Sequence, residues 1–251
     1  MKCIICNSNM NTPIYEYKDP DKYEMSMGVK GRTWFKCECG HYQQFHMYPL
    51  DSLTDIYDHI YRSTEFRGKT LKESFDDIMS ITDSENNQRV LFFCNIFPVK
   101  CKVWDIGSGI GVFPYKLQKE GYKVVCHELG QNSIQHLKNL GLRVKDNYKA
   151  DITTLIHVLE HIEDPVGFLS QLAGTVYIEV PDAEEFEYRD ILDDEFNSCH
   201  LHFFNEQGLR NVMNLAGFKV GGVKKIRYVD RDLARLTMWG REEEHNVTDK
   251  R

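Results

Sequence analysis

The chain has 251 residues, of which 41% are hydrophobic, enough for one full α/β core and a small additional unit. Its formal net charge of −7 and the absence of any run of Lys or Arg argue against nucleic acid as the main partner, because an acidic surface repels phosphate backbones. No apolar stretch approaches the roughly 18 residues that span a bilayer, and Met1 to Asn9 lack the apolar core of a signal peptide, so we expect a cytoplasmic protein.

Four of the eight cysteines lie close to the N-terminus, in two pairs separated by thirty residues. In a reducing compartment such pairs are not a disulfide framework, and two pairs on tight turns suit tetrahedral zinc. The predicted ligands are Cys3, Cys6, Cys37 and Cys39. The second pair has one intervening residue rather than two, which leaves His41 or His46 as alternatives to one thiolate. We predict that residues 1–48 form a small zinc-binding module, with a metal-free module of reduced cysteines as the alternative.

Residues 49–84 are predicted to connect this module to the rest of the chain through helical structure. Apolar residues recur at helical spacing in the first part of the segment, at Leu53, Ile56, Tyr57 and Ile60. The segment from 63 to 84 is polar and is expected to contain some helix. Glu85–Phe97 is predicted to be a helix that ends before Pro98.

From residue 102 onwards, strand patterns alternate with helical patterns. Strands are predicted at Lys102–Ile106, Lys123–His127, Leu142–Lys145, Asp151–Ile156 and Thr175–Val180, followed by a final pair at Phe218–Val223 and Ile226–Val229. Helices are predicted at Val112–Glu120, at Asn132–Leu140, from Asp164-Pro165 onwards and at Asn205–Ala216. Strands separated by helices favour a mostly parallel sheet with helices on both faces. We therefore predict an α/β domain at residues 85–240 and a charged, mobile tail at residues 241–251.

The most informative segment is the glycine-rich turn after the first of these strands, Val103-Trp104-Asp105-Ile106-Gly107-Ser108-Gly109-Ile110-Gly111. Glycines at the carboxyl end of a parallel strand let the backbone approach a ligand closely. A dinucleotide fingerprint requires a third glycine, but Val112 or Pro114 occupies that position. The acid of this turn lies on the strand and suits a cationic ligand. Glu128 ends the next strand, where a carboxylate can accept hydrogen bonds from both hydroxyls of a ribose.

These motifs resemble the class I S-adenosylmethionine-dependent methyltransferase superfamily. The resemblance rests on the turn Trp104–Gly111, on Glu128, and on Leu155-Ile156-His157-Val158-Leu159-Glu160-His161-Ile162-Glu163-Asp164-Pro165, which carries the Val-Leu-Glu-His signature of one branch. The segment Cys199-His200-Leu201-His202-Phe203-Phe204-Asn205 and the helix that follows it also match that branch. The resemblance implies an α/β fold with a Rossmann-like, seven-stranded methyltransferase sheet over about residues 85–230, preceded by the small cysteine-rich module.

The resemblance implies S-adenosyl-L-methionine as the cofactor and gives roles to particular positions. Asp105, Gly107 and Gly109 are expected to hold its methionine part, and Glu128 its ribose. The adenine usually meets a residue after the third strand, for which Asp146 is the candidate. His157, within the signature, is a further candidate for contact with the cofactor.

A cysteine module in front of a methyltransferase domain resembles the sugar C-methyltransferases of deoxysugar pathways, whose N-terminal unit binds zinc. Those enzymes carry a Tyr-His-Glu-His pattern that is used to enolise the sugar. In this chain the corresponding residues are Cys199-His200-Leu201-His202, so the tyrosine and the glutamate are missing. The departure argues against C-methylation.

Methyl transfer from a sulfonium is an in-line displacement that needs an aligned acceptor and an active site without water. An oxygen acceptor also benefits from a base, for which histidine is suited. The candidate histidines are His157, His161, His200 and His202. His200 and His202 alternate along the chain, so they point opposite ways if extended, and we favour His200 for the cleft. Glu160 is expected to contact the cofactor or a histidine, or to be a structural hydrogen-bond partner. Asp182–Ser198 is predicted to be an insertion that covers the substrate, with a solvated helix as the alternative.

The sequence therefore predicts a cytoplasmic O-methyltransferase that acts on a small polar acceptor, with a sugar or nucleotide-linked sugar in glycan or secondary-metabolite biosynthesis as the best candidate. The first alternative is an N- or C-methyltransferase on a related small molecule. The second is an inactive methyltransferase-like scaffold with a zinc-ribbon binding module, which the intact glycine turn and Glu128 oppose. The third is an RNA methyltransferase guided by the zinc module, which the net negative charge opposes. The oligomeric state stays open.

Overall fold

A computed structural model describes residues 2–11, 13–17, 32–46, 65–66, 68–188, 199–228 and 234–243. Its strands are β1 (Pro13–Tyr17), β2 (Arg32–Lys36), β3 (His41–His46), β4 (Glu65–Phe66), β5 (Lys69–Thr70), β6 (Lys102–Ile106), β7 (Lys123–His127), β8 (Arg143–Val144), β9 (Ile152–Ile156), β10 (Thr175–Pro181), β11 (His202–Phe204), β12 (Phe218–Arg227) and β13 (Ala234–Glu242). Its helices are α1 (Leu71–Ser80), α2 (Glu85–Ile96), α3 (Val112–Lys119), α4 (Gln131–Asn139), α5 (Pro165–Leu169) and α6 (Glu206–Leu215).

The main sheet has seven strands in the order β12-β13-β10-β9-β6-β7-β8. The strands from β10 to β8 pair in parallel, and β13 lies antiparallel to both of its neighbours. From β6 the chain builds outwards to β8, then crosses back to place β9 on the other side of β6. Ligands of open α/β sheets bind at such a reversal, outside the carboxyl ends of the strands. The predicted Rossmann-like fold with a seven-stranded sheet is confirmed.

Local chemistry explains where several of the helices begin. The Asp164 side chain accepts a hydrogen bond of 2.8 Å from the backbone N–H of Gly167 and caps α5, whose first residue is Pro165. Asn205 caps α6 in the same way, through a 2.8 Å hydrogen bond from the Gly208 N–H. The predicted helices and the first five predicted strands of this domain lie within one or two residues of the observed elements.

The prediction for the last strands was wrong. The runs Phe218–Val223 and Ile226–Val229 do not pair with each other, because residues 218–227 form the single strand β12, with an irregularity between Val220 and Gly222. Two adjacent glycines interrupt the side-chain alternation there, which is why one strand resembled two in the sequence. The partner is β13, which was not predicted.

The boundary of the predicted tail was also wrong at its first residues. Arg241 pairs with Thr175 of β10, and β13 continues to Glu242. Residues 244–251 of that tail lie outside the described residues. The same holds for the predicted helical face from Leu53 to Ile60, whereas α1 supplies the helix expected in the later part of the connector.

A second sheet has four strands in the order β1-β2-β3-β11. Its first three strands come from the cysteine module, but β11 comes from the segment between β10 and α6 and pairs antiparallel with β3. The module also packs on α6, since buried Cys3 and Cys37 share one apolar core with Leu209 and Val212. The cysteine module is therefore completed by residues from the second half of the chain.

None of the helices in the described part of the chain is both long and apolar enough to cross a bilayer.

Candidate functional site

The glycine turn after β6 lies at the reversal point of the main sheet. Gly107, Gly109 and Gly111 have φ angles of 68°, 53° and 81°, which favour glycine. A Cβ atom on Gly107 would come within 2.5 Å of Val158 Cγ2, and a Cβ on Gly111 within 2.6 Å of Leu137 Cδ2. The first and third glycines are therefore needed for packing as well as for conformation, whereas Gly109 faces open space.

Asp105 lies at the base of this turn and is 3% exposed. The hydroxyl of Thr154 on β9 donates a 2.6 Å hydrogen bond to Asp105 Oδ1. Burial raises the pKa of Asp105 to about 6, although hydrogen bonds from Thr154 and Ser108 act in the opposite direction. A buried carboxylate of this kind gains from a cationic ligand, which would offset the cost of its burial.

Glu128 lies directly after β7 and bridges back to the glycine turn. Its Oε2 accepts a 2.8 Å hydrogen bond from the backbone N–H of Gly109, and its Oε1 accepts one of 2.8 Å from the N–H of Leu129. The carbonyl of His127 accepts hydrogen bonds from the N–H groups of Gly107 and Ser108, at 3.0 and 3.1 Å. The two loops are thus joined, and the acid predicted for the ribose lies beside the turn predicted for the methionine part.

A cleft with a volume of about 110 Å³ opens at the glycine turn. Residues that line it include Asn86, Arg89, Asp105, Gly107, Ser108 and Ile156. Asp146, predicted to contact the adenine, is exposed in the loop after β8. Sequence reasoning missed Leu129, which is 59% exposed beside Glu128 and offers an apolar face on the same loop. The sequence signal for Leu129 was its position, because it is an apolar residue directly after the acid that follows β7.

Charged side chains behind the cleft form what we call the ion-pair cluster. Its members are Glu85, Arg89, His157, Glu160, Glu179 and Arg235. Arg89 donates to Glu179 Oε1 from Nε at 2.9 Å and to Glu85 Oε1 from Nη2 at 2.7 Å. Arg235 Nε donates to Glu85 at 3.1 Å. All members except His157 are less than 9% exposed, so the charges must balance one another.

His157 supplies the positive charge that completes this balance. Its Nδ1 lies 3.2 Å from Glu160 Oε1, and its Nε2 lies 3.7 Å from Glu85 and 3.6 Å from Glu179. Burial and the nearby Arg235 lower the pKa of His157, but the hydrogen bond with Glu160 and the close carboxylates of Glu179 and Glu85 outweigh them and raise it to about 10. Three carboxylates then face two guanidinium groups and one imidazolium. An imidazolium has no lone pair to accept a proton, so His157 is unsuited to act as the base.

The backbone at His157 is strained, with a φ of 53°. A histidine rarely adopts this left-handed conformation, and such outliers concentrate at functional sites. The strain is held by the hydrogen bond from the His157 N–H to the Glu179 carbonyl, at 2.9 Å, together with the ion pairs of the ring. Sequence reasoning did not identify Glu85, Arg89, Glu179 or Arg235, because they come from three separate elements, α2, β10 and β13.

Glu160 also belongs to a second group, which we call the Glu160 cluster and which consists of Glu160, His161 and His200. One potential ligand atom of each residue lies within 4.8 Å of the others. The structure thus brings together the three residues predicted to be catalytic. Burial acts to raise the pKa of Glu160, but the hydrogen bond with His157 and the charges of the neighbouring histidines lower it to about 2.

The ring of His161 has a defined orientation. Its Nδ1 lies 2.9 Å from the carbonyl oxygen of Cys199, which can only accept, so Nδ1 carries the proton. The lone pair of the neutral ring is therefore on Nε2. Burial, together with the charge of His200, lowers the pKa of His161 to about 4. The imidazole is neutral in the physiological range and can accept a proton or bind a cation.

His200 and His202 alternate along the chain, so their side chains contact different groups. His202 lies on β11, and its Nδ1 is 3.2 Å from Nε2 of His41 on β3, with both rings buried. His41, the alternative zinc ligand, is therefore directed at His202 rather than at the thiols. The side chain of His46, the other alternative, is outside the described residues.

The four predicted zinc ligands lie together, with each pair of sulfurs within 4.8 Å. Cys3 Sγ is 3.7 Å from Cys39 Sγ, and Cys6 Sγ is 3.4 Å from Cys37 Sγ. Tetrahedral zinc with Zn–S bonds of about 2.3 Å requires S–S distances of about 3.8 Å. Burial raises the pKa of Cys3 to about 11, whereas a hydrogen bond with Ser8 lowers that of Cys6 to about 6. The four thiols fit zinc in identity and spacing.

The predicted covering insertion, Asp182–Ser198, is described only as far as residue 188. Its first part forms a short 3₁₀ turn at Ala183–Tyr188. Residues 189–198 lie outside the described residues.

Comparisons with known proteins agree with this architecture. The family model described as "Methyltransferase domain" matches residues 79–221, more than half of the chain. Two solved structures are similar in fold. One is the 1,6-didemethyltoxoflavin-N1-methyltransferase of Burkholderia thailandensis, with bound 1,6-didemethyltoxoflavin and S-adenosylhomocysteine, at 15% identity and a TM-score of 0.54 over 93% of this chain and 100% of the other. The other is the magnesium protoporphyrin IX methyltransferase of Synechocystis PCC 6803 with bound S-adenosylhomocysteine, at 14% identity and a TM-score of 0.56 over 75% and 100%. No curated protein sequence matches significantly.

Proposed function

Because the chain belongs to the methyltransferase domain family and is an S-adenosylmethionine-dependent methyltransferase, we propose that it methylates a hydroxyl oxygen of a sugar or nucleotide-linked sugar in glycan or secondary-metabolite biosynthesis. The observation that carries the proposal is the position of the Glu160 cluster. The cluster follows β9, whose carboxyl end lies beside that of β6, because Leu155 pairs with Ile106. Groups suited to handle a proton therefore lie at the same edge of the sheet as Asp105 and the glycine turn.

In this proposal the cofactor lies along the loops after β6 and β7. Asp105 pairs with its amino group, Gly107 and Gly109 allow its methionine part to approach the backbone, and Glu128 accepts hydrogen bonds from the ribose. Asp146 contacts the adenine. We propose that His157 acts beside the cofactor site through the ion-pair cluster, because Arg89, which lines the cleft, belongs to that cluster.

When bound, S-adenosylmethionine supplies an electrophilic methyl group on a sulfonium. The acceptor oxygen bonds to the methyl carbon as the carbon–sulfur bond breaks, and the acceptor proton passes to a ring nitrogen of His161 or His200. Glu160 stabilises the positive charge that then develops on the imidazole. Alignment of the oxygen with the methyl group supplies the remainder of the rate enhancement.

The choice of a sugar rests on the resemblance of the cysteine module to that of sugar C-methyltransferases. The choice of oxygen rests on the residues around His200, because Cys199 and Leu201 replace the tyrosine and glutamate that enolise a sugar in those enzymes. The Leu201 backbone instead joins two units, since its N–H donates to the Glu160 carbonyl and its own carbonyl accepts from the Gln44 N–H, both at 2.8 Å. N- or C-methylation of a related small molecule is the alternative.

We also propose that one structural zinc ion is bound by Cys3, Cys6, Cys37 and Cys39. The sulfur atoms of the two closest pairs are 3.4 and 3.7 Å apart. At this spacing the four thiols cannot all ionise unless a cation compensates their negative charge. Zinc would fix the turns of the module and, through the pairing of β3 with β11, the segment that carries His200. Reduced thiols of this kind fit the cytoplasmic location we propose.

The test is to incubate the protein with S-adenosylmethionine and a panel of nucleotide-sugars and free sugars, and to analyse the products by mass spectrometry. The expected result is a gain of about 14 Da, the mass of CH₂, on one acceptor, and formation of S-adenosylhomocysteine in equal amount. Amine-bearing and hydroxyl-only sugars in the same panel separate N- from O-methylation. Methylation of amine-bearing sugars alone would contradict the oxygen acceptor.

A further inference from the structure

We propose that Glu160, His161 and His200 bind one first-row divalent transition-metal ion beside the cofactor cleft, separately from the zinc of the cysteine module. One carboxylate and two imidazoles are a donor set for such ions, and three protein ligands leave coordination positions for other oxygens. A potential ligand atom of each residue lies within 4.8 Å of the others, and the His161 and His200 ring centroids are 4.7 Å apart.

The strongest observation concerns the carboxylate oxygen Oε2 of Glu160. The residue is 0% exposed, and within the described part of the chain Glu160 Oε2 has no hydrogen-bond partner, whereas Oε1 faces the His157 ring. An ionised oxygen that is buried without a partner is destabilising, because it has lost its hydration. A cation held between this oxygen and the two histidines would remove that cost.

The orientation of His161 is the second observation. A histidine that binds a metal commonly donates its other ring N–H to a carbonyl or a carboxylate, which fixes its tautomer and its direction. His161 donates from Nδ1 to the Cys199 carbonyl at 2.9 Å, so Nε2 is left with the lone pair that a metal requires. Cys199 immediately precedes His200, so one segment orients one histidine and supplies the other.

The charges around the cluster set the conditions for binding. Glu160 is shared with the protonated His157, and the guanidinium groups of Arg89 and Arg235 lie on the far side of His157 within the ion-pair cluster. A divalent ion beside Glu160 would therefore share that carboxylate with His157. The trio of Glu85, His157 and Glu179 is also closely spaced, but Arg89 and Arg235 already neutralise its two carboxylates.

The role of the ion rests on the proposed function. A hydroxyl that coordinates a divalent ion has a lower pKa, so the acceptor would lose its proton to water and attack the methyl group as an alkoxide. Two free positions on the ion would suit two neighbouring hydroxyls of one acceptor, which narrows the substrate class to sugars with a vicinal diol. In the metal-free protein the proton passes instead to a histidine.

The binding is tested with Co²⁺ added to the full chain after its cysteine module has been loaded with zinc. The expected result is one Co²⁺ per chain, with visible d–d absorption and without the charge-transfer band of a thiolate ligand. Glu160→Gln and His161→Gln are each expected to raise the Kd for Co²⁺ at least tenfold. The matched controls Glu163→Gln, an exposed acid three residues away, and His127→Gln, a histidine outside the cluster, are expected to keep the wild-type Kd.

S-adenosylhomocysteine binding, measured on the same samples, shows that each variant is folded and separates the two proposals. Absence of the d–d band in wild type, a band accompanied by thiolate charge transfer only, or an unchanged Kd in both cluster variants would overturn the metal site. If these results come with normal S-adenosylhomocysteine binding, the proposed methyltransferase site survives. If wild type binds Co²⁺ but no S-adenosylhomocysteine, the metal site survives and the assigned cofactor site does not.

Discussion

The carboxylate of Glu128 accepts a hydrogen bond from the backbone N–H of Gly109, with 2.8 Å between Oε2 and N. This contact joins the end of β7 to the most open glycine of the turn after β6. It keeps the carboxylate beside the turn, so a ribose that binds there as we propose would meet an acceptor already in position. Little side-chain entropy is then lost on binding, which favours affinity.

The first prediction concerns this residue. Glu128→Ala is expected to weaken S-adenosylhomocysteine binding by about 1–3 kcal/mol, because the ribose hydroxyls lose a charged acceptor and the turn loses its hydrogen bond. Glu120→Ala, which removes an exposed acid at the end of α3, is the matched control. Isothermal titration calorimetry measures both, and equal affinity in wild type and Glu128→Ala would contradict the ribose assignment.

The second prediction concerns the pH dependence of cofactor binding. Since burial raises the pKa of Asp105 to about 6, its carboxylate is protonated at lower pH and no longer attracts the amino group of the ligand. Affinity for S-adenosylhomocysteine is expected to fall as the pH decreases through about 6. Asp105→Asn should bind weakly at pH 8 and lose this dependence.

The effect of Asp105 on stability depends on pH with the opposite sign to its effect on ligand binding. An acid whose pKa is raised by folding destabilises the ligand-free protein as the pH rises from its unfolded value, about 4, to about 6. Thermal melts of wild type and Asp105→Asn between pH 4 and 7 separate the two effects. Affinity that stays constant between pH 5 and 8 would argue against Asp105 as the partner of the amino group.

The sequence allowed the positions of the glycine turn and of Glu128 to be predicted because their determinants are local. Asp105, the glycines and Glu128 are fixed by their distance from strand ends, and those strands have continuous apolar patterns. The ion-pair cluster could not be predicted, since Glu85 and Arg89 on α2 meet Glu179 on β10 and Arg235 on β13 only after the sheet has formed. Isolated charges at those positions resemble ordinary surface residues.

Strand β13 was missed because its sequence has no clear apolar pattern. Its residues from Ala234 to Met238 are buried, yet they include Arg235 and Thr237, whose polar groups reach the ion-pair cluster. A strand that carries an arginine in the core has no clear apolar pattern. The pairing of β11 with β3 could not be predicted either, because residues as far apart in the chain as His202 and Gln43 leave no local signal of their contact.

The third prediction concerns His157 and the stability of the fold. Folding raises the pKa of His157 to about 10, so its contribution is fully present below its unfolded value, about 6.5, and is lost as the pH rises through 10. The free energy of unfolding should therefore decrease across that window, by at most about 1.4 kcal/mol per pH unit. Urea unfolding at several pH values measures it.

His157→Gln tests the assignment directly. The variant leaves three carboxylates against two guanidinium groups and is expected to destabilise the protein by about 3 kcal/mol at neutral pH, as when one partner of a buried ion pair is removed. The pH dependence above 6.5 should flatten at the same time. His127→Gln serves as the control, and if both variants show the same stability at pH 7 the charge balance proposed for the cluster is wrong.

The fourth prediction concerns the cysteine module. Protein purified without chelator is expected to contain about one zinc per chain, and Cys6→Ser should abolish that stoichiometry and lower the Tm, because metal binding contributes to folding. Cys101→Ser, which changes a half-buried cysteine outside the cluster, should retain the zinc. Elemental analysis and thermal melts give both readouts, and metal-free wild-type protein would contradict the zinc site.

The last prediction concerns the proton of the acceptor hydroxyl. His161 and His200 share Glu160 as a neighbour, and one of them should receive the proton in the metal-free protein. His161→Asn or His200→Asn is expected to lower kcat by about 10²–10⁴, the usual contribution of a general base. S-adenosylhomocysteine binding should be unchanged, because neither residue is assigned to the cofactor.

The pH profile tests the role of His161 as the base. Burial and the charge of His200 lower the pKa of His161 to about 4, so a reaction that uses His161 should keep its rate down to about pH 5.

A lower pKa also makes the ring a weaker base, and the Glu160 carboxylate offsets this weakness by stabilising the imidazolium as it forms. Glu160→Gln should therefore lower kcat with a smaller effect on KM. These kinetics are measured in buffer freed of divalent ions. If both histidine variants keep kcat within about threefold of wild type, no histidine removes the proton, and alignment of the acceptor with the methyl group carries the reaction.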